Sequence, residues 1–374
     1  MDIVTLPAFR SGTYRNLFKE TGKTDAEIDA KVNGAVRDFF RGEDSIRCYR
    51  EFGTDEAFIL DSGNDDIRSE GMSYGMMIAV QTGLREEFDR LWNFTLRRMR
   101  HADGDRQGYF AWQLNTDGTM RSRVSAPDGE EYFAMALFFA WKRWADPAYK
   151  AAADDILHHM LHQDIYAALS SGVTRMIDPG TKQIVFVPEA NGSYFTDPSY
   201  HLPAFYELFS LWANEDNAYW KEVAAASRDY LGTAAHPVTG LYPDYSTFDG
   251  KPMDPSAQGH EDFRNDAWRV IQNIAVDWAW FGADPRQIGA VDRIQAFFAG
   301  RGLLTPGSQF ALDGKTVYDS FSPPGLAASN PRAMEFVRHL WDVEPTRGKW
   351  RYYNGCLYVF GLLHCSGKFR IIGG

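Results

Sequence analysis

Apolar residues recur along most of the chain at spacings of three and four positions, which is the pattern of amphipathic helices. One stripe of this kind runs from Ile28 to Phe39. Thr24 and Glu27 precede it in the arrangement of a capping box, which predicts that a helix begins there. Similar stripes predict helices over Phe88–Met99, Phe133–Trp144, Ala153–Leu161, Phe205–Trp212, Trp220–Leu231, Trp268–Trp280, Ile288–Phe298, Met334–Trp341 and Tyr353–Leu363.

The predicted helices come in pairs, because short links alternate with long segments rich in glycine and aromatic residues. A short link places two helices side by side in opposite directions, and the chain has room for about six such hairpins. No change of composition marks a boundary, so we expect one all-α domain over residues 1–374. The one β-hairpin that the pattern predicts lies in a long loop, where Val173–Ile177 and Gln183–Val187 flank the turn Asp178-Pro179-Gly180. If the helical hairpins close into a ring, their long loops gather at one end around a cleft.

Composition and charge narrow the range of ligands. Aromatic residues make up 15% of the 374 residues, and the formal net charge is −11. Nucleic acids and anionic membranes both require a basic patch, so we expect neither as a partner. A neutral ligand with apolar faces suits the composition better. The chain shows no signal peptide and no apolar run long enough to span a bilayer, so we expect a cytoplasmic protein, acting as a monomer.

Three acidic residues fall where predicted helices begin. Glu70, Asp128 and Asp266 each lie beside glycine or arginine at the start of an apolar stripe. Acidic residues are favoured at helix N-termini, so each one taken singly has a purely structural explanation. Their recurrence at the same end of the helices points instead to carboxyl groups that face one cleft. A protonated carboxyl that releases the leaving oxygen, together with an ionised one that activates water, is the equipment for cleaving an acetal. Arg68 and Arg269 are placed to hold neighbouring carboxylates by charge-assisted hydrogen bonds.

The long loops carry aromatic residues that suit a sugar ligand. A flat ring with a polar edge matches the C–H face and the hydroxyl rim of a pyranose. The alternative is that these rings only cover the core, and sugar binding is favoured most clearly for Trp112. The candidates are Tyr109, Phe110 and Trp112 in one loop, Tyr194, Phe195 and Tyr200 in the next, and Tyr242, Tyr245 and Phe248 in a third.

Two other motifs match serine-hydrolase and metal-binding patterns, but their surroundings in the sequence do not support either function. Gly71–Gly75 matches the G-x-S-x-G pattern of a nucleophile elbow, but that motif needs a preceding buried strand in a parallel sheet, and the sequence predicts none. His158 and His162 have the i, i+4 spacing of a metal-binding pair, but no glutamate completes the usual motif, and we interpret them as solvent-facing. We expect neither a metal nor a cofactor.

Several blocks of the sequence resemble glycoside hydrolase family 8. The block Asp61–Met77 resembles the acid-bearing signature of the family and is the most specific of them. Ala126–Met135 and Phe263–Arg269 resemble two further blocks, and Thr196–Tyr200 and Arg351–Gly355 resemble others. The likeness extends from about residue 60 to the end of the chain.

This resemblance implies an (α/α)6 barrel and hydrolysis with inversion at the anomeric carbon. It makes Glu70 the general acid and Asp266 the general base, and it gives Asp128 a role in binding and distorting the sugar at the cleavage point. In an inverting enzyme the two catalytic carboxyl groups lie about 6.5–9.5 Å apart, which leaves room for a water molecule. The residues that we expect to bind substrate are Arg68, Trp112, Tyr194, Tyr200, Arg269 and Tyr353.

Within the family, the Asp61–Met77 block looks most like that of the reducing-end xylose-releasing exo-oligoxylanases. This likeness implies hydrolysis of β-1,4-xylosidic bonds in xylo-oligosaccharides, with release of xylose from the reducing end. Those enzymes close the reducing-end side with a loop of Leu-His-Pro type, whereas the matching stretch here reads Phe321-Ser322-Pro323. A second departure is Asn265, where relatives tend to carry an aromatic residue before the base. The alternative is an endo-β-1,4-xylanase or another β-glycanase of the family, and a more remote one is a non-catalytic sugar-binding toroid.

Overall fold

The computed structural model describes residues 6–163, 172–302, 309–318 and 333–373. Most of this part of the chain is helical, as the apolar stripes predict, and the capping box of Thr24 and Glu27 is present at the start of a long helix. The helices are α1 (Ala8–Ser11), α2 (Leu17–Glu20), α3 (Asp25–Arg41), α4 (Ser69–Thr82), α5 (Arg85–Phe94), α6 (Pro127–Trp144), α7 (Pro147–His162), α8 (Pro203–Trp212), α9 (Asn217–Ala234), α10 (Val270–Trp280), α11 (Arg286–Ala299), α12 (Ala333–Asp342) and α13 (Arg351–Cys365). A π-helical turn, Thr95–Met99, continues α5, and 3-10 turns span Pro198–Tyr200, Asn265–Arg269 and Gly348–Trp350.

Short links join paired helices, as the sequence predicts. Gly83 and Leu84 separate α4 from α5, and Ala145 and Asp146 separate α6 from α7. Gly83 ends α4 in a left-handed conformation with φ 78°, which glycine adopts without strain. Between the pairs, α4 packs against α6, α6 against α8, and α8 against α10, while α13 packs back against α4. These helices surround a common apolar core.

The strands are β1 (Tyr49–Phe52), β2 (Glu56–Asp61), β3 (Asp66–Arg68), β4 (Gln113–Asn115), β5 (Met120–Ser122), β6 (Ile177–Asp178), β7 (Gln183–Ile184), β8 (Gln309–Phe310) and β9 (Thr316–Tyr318). The prediction of a single β-hairpin is wrong, because the described residues form three antiparallel sheets. The predicted hairpin is present as β6 and β7, but the largest sheet has five strands in the order β1-β2-β3-β4-β5. The alternation of polar and apolar residues that reveals a strand is missing from β2, because it is buried at all but one of its 6 positions.

The five-stranded sheet brings a distant loop to the start of α4. Strand β3 runs directly into α4, and its Arg68 pairs with Gln113 of β4. The amide of Ser69 donates a hydrogen bond of 2.9 Å to the carbonyl of Trp112. The first turn of α4 and the residue Trp112 are therefore held side by side.

Two glycines allow helices to approach closely at this end of the molecule. A Cβ atom at Gly71 in α4 would lie 2.5 Å from Cε2 of Tyr352 in α13. A Cβ atom at Gly129 in α6 would lie 2.7 Å from Cβ of Ser69. Both contacts are shorter than carbon atoms tolerate, so this packing requires glycine. The approach at Gly71 brings the phenol of Tyr352 to the neighbouring side chain, Glu70.

None of the helices in the described ranges is long and apolar enough to cross a membrane. The stretch Phe321-Ser322-Pro323, which departs from the loop of the exo-acting relatives, lies outside the described residues.

Candidate active site

A cleft of about 860 Å³ lies among the long loops, at the starts of α4 and α6 and beside the 3-10 turn that precedes α10. All three predicted carboxyl residues, Glu70, Asp128 and Asp266, line it. The predicted substrate-binding residues Arg68, Trp112, Tyr200 and Tyr353 line it as well. The remaining lining residues are Asp61, Asn64, Ser69, Ala126, Asn265, Trp268, Thr346, Arg347, Trp350, Tyr352 and Asn354.

Glu70 is the second residue of α4, and its side chain is 15% exposed. Its Oε1 accepts a 2.7 Å hydrogen bond from the hydroxyl of Tyr352, and its Oε2 lies 2.9 Å from Nη1 of Arg269. Burial raises the pKa of Glu70 to about 7 and outweighs the opposing effects of Arg269 and Tyr352. This carboxyl therefore still carries a substantial proton population at neutral pH.

Asp128 is the second residue of α6 and the least exposed of the three carboxyl residues, at 5% of its side chain. Its Oδ1 accepts a 2.9 Å hydrogen bond from the amide of Gly129, and its Oδ2 lies 3.0 Å from Nη2 of Arg269. Burial raises the pKa of Asp128 to about 6, although Arg269 acts in the opposite direction. Both oxygens have fixed partners, so this side chain is suited to holding a ligand in place.

Asp266 lies in the 3-10 turn before α10 and is the most exposed of the three, at 31% of its side chain. Its amide donates a 3.0 Å hydrogen bond to Oδ1 of Asp244. The other oxygen of Asp244 lies 2.6 Å from Nδ1 of His260. The backbone of Asp266 is thus fixed by the buried Asp244, which His260 holds in turn, while the side chain of Asp266 remains accessible to solvent in the cleft.

The guanidinium of Arg269 connects the three carboxyl residues and is itself only 3% exposed. Nη1 contacts Glu70, Nη2 contacts Asp128, and Nη2 also lies 3.7 Å from Oδ1 of Asp266. Nε donates a 3.0 Å hydrogen bond to the hydroxyl of Ser199, which fixes the plane of the group. Because one planar guanidinium spans the contacts, Oε2 of Glu70 and Oδ1 of Asp266 are at most about 9 Å apart.

Aromatic side chains lie around the carboxyl groups. The guanidinium of Arg68 lies 5.5 Å from the ring centroid of Trp112 and is itself held by Asp61 and Asp66, with 3.1 Å to an oxygen of each. This arrangement fixes one face of the Trp112 ring and leaves the residue partly exposed in the cleft. A partly exposed, fixed indole is a suitable platform for a sugar ring.

Two tyrosines, Tyr200 and Tyr353, line the cleft near Arg269 and Asp266. The ring centroid of Tyr200 lies 5.5 Å from the guanidinium of Arg269, and the residue is 5% exposed. The hydroxyl of Tyr353 lies 3.4 Å from the carbonyl oxygen of Asn265, next to Asp266. Both phenols therefore lie close to the carboxyl groups that line the cleft.

The structure does not bring Tyr194 to the cleft, since the residue is 51% exposed and is absent from the cleft lining among the described residues. Tyr109 and Tyr242 are buried, and their hydroxyls donate to the carbonyls of Thr174 and Leu231. These two rings cover the core, which is the alternative that the sequence left open.

Sequence reasoning missed several residues of the cleft. Tyr352 lies beside Tyr353 in the block Arg351–Gly355, and Trp350 directly precedes that block, so this neighbourhood was a usable signal. Asp244, which is not among the described residues that line the cleft but holds the backbone of Asp266, gave no signal, because it lies in a loop 22 residues earlier in the sequence.

The G-x-S-x-G match has a structural explanation. Gly71–Gly75 lies inside α4, and Ser73 is buried there with its hydroxyl donating to the carbonyl of Glu70 over 2.9 Å. A serine in this position is not presented as a nucleophile at a sharp turn between a strand and a helix.

Three carboxyl residues beside the cleft have the spacing of a cation site, because oxygens of Asp197, Asp244 and Asp266 lie within 4.8 Å of one another. Burial raises the pKa of Asp197 well above its ordinary value and that of Asp244 to about 6. A hard cation requires ionised oxygen ligands, and burial disfavours this form at both residues.

Residues 49–367 match the Glycosyl hydrolases family 8. The chain therefore belongs to glycoside hydrolase family 8, as the resemblance of its motifs indicates.

Two similar relatives are reducing-end xylose-releasing exo-oligoxylanases. Rex8A of Paenibacillus barcinonensis is 46% identical over an alignment that covers 99% of this chain and 100% of the relative. The enzyme of Halalkalibacterium halodurans is 43% identical, with 99% and 97% of the two chains covered. The solved structure of Rex8A complexed with xylose matches this chain with a TM-score of 0.92 and 45% identity, and the match covers 98% of this chain and 99% of that one.

Proposed function

We propose that this chain hydrolyses β-1,4-xylosidic bonds with inversion and releases xylose from the reducing end of xylo-oligosaccharides. The observation that carries the proposal is the contact of Glu70, Asp128 and Asp266 with one guanidinium in an aromatic cleft. The substrate is inferred from relatives at 46% and 43% identity over nearly the whole chain, both of which are named for this activity.

Glu70 is the general acid in this proposal. Its protonated carboxyl donates to the glycosidic oxygen, and the bond between that oxygen and the anomeric carbon breaks with the electron pair passing to the oxygen. A pKa of about 7 keeps this proton available at neutral pH, and the hydrogen bond from Tyr352 fixes the direction of the carboxyl group.

Asp266 is the general base in this proposal. Its carboxylate takes a proton from a water molecule that attacks the anomeric carbon from the face opposite the leaving oxygen, so a β-linkage gives an α-product. The 31% exposure of its side chain supports the role, since water has access to it. The upper limit of about 9 Å between Asp266 and Glu70 oxygens is compatible with the separation of about 6.5–9.5 Å in inverting glycosidases.

The other cleft residues bind and orient the sugar. Asp128, buried and fixed on both oxygens, holds the sugar at the cleavage point in a distorted ring shape. Tyr200 positions the attacking water, and Trp112 stacks on a sugar ring while Arg68 holds the indole in place. Tyr353 binds the sugar from the side of the cleft where its hydroxyl contacts Asn265, the residue before Asp266.

We further propose that residues 1–374 fold as one domain in an (α/α)6 barrel. The packing of α4 on α6, α6 on α8 and α8 on α10, together with that of α13 on α4, supports a ring-like arrangement of inner helices. A ring of this kind explains why acidic residues at the starts of separate helices meet in one cleft.

Xylotetraose with ¹³C at its reducing-end anomeric carbon distinguishes the possible functions. The proposal predicts labelled xylose and unlabelled xylotriose as the first products, and the new reducing end of xylotriose should appear first as the α-anomer in NMR spectra. Labelled xylobiose as the first labelled product would indicate an endo-xylanase, and an initial β-anomer would contradict inversion. Binding of xylotetraose without any product would support the sugar-binding toroid. Glu70→Gln is the matched control and should release no xylose.

A further inference from the structure

Two histidines on the outside of α7 lie beside carboxylates from another part of the chain. His158 and His162 are one helical turn apart, with ring centroids 4.8 Å from each other and side chains 51% and 40% exposed. The link between α8 and α9 passes next to them. Nδ1 of His158 lies 2.6 Å from Oε1 of Glu215, and Nε2 of His162 lies 2.6 Å from Oδ2 of Asp216.

This grouping has the donors and the spacing of a transition-metal site. One ligand atom from each of His158, His162 and Glu215 lies within 4.8 Å of the other two. Ligands around a tetrahedral zinc ion, at about 2.0–2.2 Å from the metal, are separated by about 3.3–3.6 Å. The side chains of His158, His162 and Glu215 are 51%, 40% and 55% exposed, which leaves them room to rotate toward this spacing. Imidazole and carboxylate together suit zinc, whereas magnesium and calcium prefer oxygen ligands alone.

The link that carries Glu215 is held beside α7 by contacts that do not involve the histidines. The amide of Asn214 donates a 3.0 Å hydrogen bond to Oδ1 of Asp154, and Nζ of Lys150 lies 2.7 Å from Oδ1 of Asn214. The backbone next to Glu215 is therefore held beside α7 before any ion binds, and preorganisation of this kind increases affinity because less conformational freedom is lost on binding.

We propose that His158, His162 and Glu215 bind Zn²⁺ at a site outside the sugar cleft, with water completing the coordination. None of the three lines the cleft among the described residues. The ion joins the last turns of α7 to the link between α8 and α9, and Asp216 places a second carboxylate beside the imidazole of His162. The site stabilises the folded chain and takes no part in hydrolysis.

Zinc titration of the full-length protein without a polyhistidine tag tests the proposal. Isothermal calorimetry and competition with a chromophoric chelator should show one zinc per chain, and MgCl₂ should give no binding. His158→Ala/His162→Ala should weaken zinc binding by more than about 100-fold, since even the outer partners of zinc ligands contribute 10–100-fold. At a hundredfold excess of zinc over its Kd, Tm should rise by about 3 °C in the wild type and not in the double variant.

His159→Ala is the matched control, because this neighbouring imidazole bonds the carbonyl of Asp155 at 2.8 Å and is not part of the cluster. This variant should bind zinc like the wild type. Equal zinc affinity of the wild type and the double variant would overturn the proposal. A double variant that is less stable by the same amount with and without zinc would also overturn it, and would assign His158–Glu215 and His162–Asp216 as plain ion pairs. The zinc titrations do not depend on turnover, so their outcome is independent of the proposed sugar chemistry. If xylotetraose is hydrolysed, a chelator should leave the rate unchanged, and a loss of activity with the chelator would contradict a purely structural ion.

Discussion

Replacement of Tyr352 by phenylalanine tests what determines the proton affinity of the proposed acid. The hydroxyl of Tyr352 donates a 2.7 Å hydrogen bond to Oε1 of Glu70, in a place where Tyr352 is only 3% exposed. The bond favours the ionised carboxylate and so lowers the pKa of Glu70, against the larger effect of burial. Phenylalanine keeps the ring that packs on Gly71 and removes only this bond, so the pKa should rise.

The size of the shift follows from the strength of the lost bond. A hydrogen bond to a charged group contributes about 1.5–3 kcal/mol, and one to a neutral group about 0.5–1.5 kcal/mol. The difference between these two contributions is the extra stabilisation that the ionised form of Glu70 loses in the variant, and one pKa unit corresponds to about 1.4 kcal/mol. The pKa of Glu70 should therefore move from about 7 toward about 8 in Tyr352→Phe.

The pH dependence of kcat/KM on xylotetraose measures this shift. An acid must be protonated to act, so activity falls as pH rises through its pKa, and the alkaline limb of the profile reports that value. The limb should move up by about 1 pH unit in Tyr352→Phe, with the acidic limb unchanged. Tyr353→Phe is the matched control, because the neighbouring phenol contacts the carbonyl of Asn265 rather than Glu70.

An alkaline limb that stays in place or moves down in folded Tyr352→Phe would refute the reasoning. It would mean either that another group sets this limb or that the phenol does not favour the ionised form of Glu70. An equal upward shift in Tyr353→Phe would show that the effect does not come from the hydrogen bond seen in the structure.

Three further changes probe the base, the sugar platform and the buried charge. Asp266→Asn should lower kcat on xylotetraose by about 100-fold or more, because the amide cannot accept a proton from water. Calorimetry should show unchanged affinity for xylotetraose, and lost affinity would contradict the base role. Trp112→Ala should raise KM about tenfold, because it removes the ring that Arg68 holds, and an unchanged KM would exclude the indole from a sugar subsite. Burial raises the pKa of Glu130 from 4.5 to about 8. Between these two pH values the folded chain holds a proton that the unfolded chain has lost, so the free energy of unfolding falls as pH rises from 4.5 through about 8. Glu130→Gln retains an acceptor for the amide of Phe110, and its free energy of unfolding in urea should fall less steeply over that range; identical slopes would contradict the buried charge as the cause.

The helical part of the fold could be predicted because its signals are local. The stripe from Ile28 to Phe39 and the capping pair of Thr24 and Glu27 lie within one element, and the helix begins where the pattern places it. The five-stranded sheet could not be predicted in this way. Strand β2 is buried on both faces, and β3 has 3 residues whose partners in β4 lie beyond α4 and α5 in sequence. Pairing across such a distance leaves no periodic signal in a segment that short.

In the site too, features set by neighbouring residues could be predicted, and contacts between residues distant in sequence could not. That Glu70, Asp128 and Asp266 share one end of the molecule could be predicted, since each lies at the start of a helix and helices in hairpins alternate in direction. The bond between Tyr352 and Glu70 could not, because the residues are 282 positions apart and meet only through the close packing at Gly71.

The electrostatics of the cleft depend on Arg269, whose single positive charge lies near three carboxyl groups. If Glu70, Asp128 and Asp266 were all ionised around Arg269, the group would carry two uncompensated negative charges in a partly buried space, and like charges at this distance repel. Burial raises the pKa of both Glu70 and Asp128 in spite of the arginine, which relieves this repulsion by favouring protonation. Asp266, with 31% of its side chain exposed against 15% and 5%, remains in contact with water. Glu70 and Asp266 therefore lie in different environments, the first buried with its pKa raised and the second open to solvent. Carboxyl groups in environments that differ in this way can take the acid and base roles that we propose for these two residues.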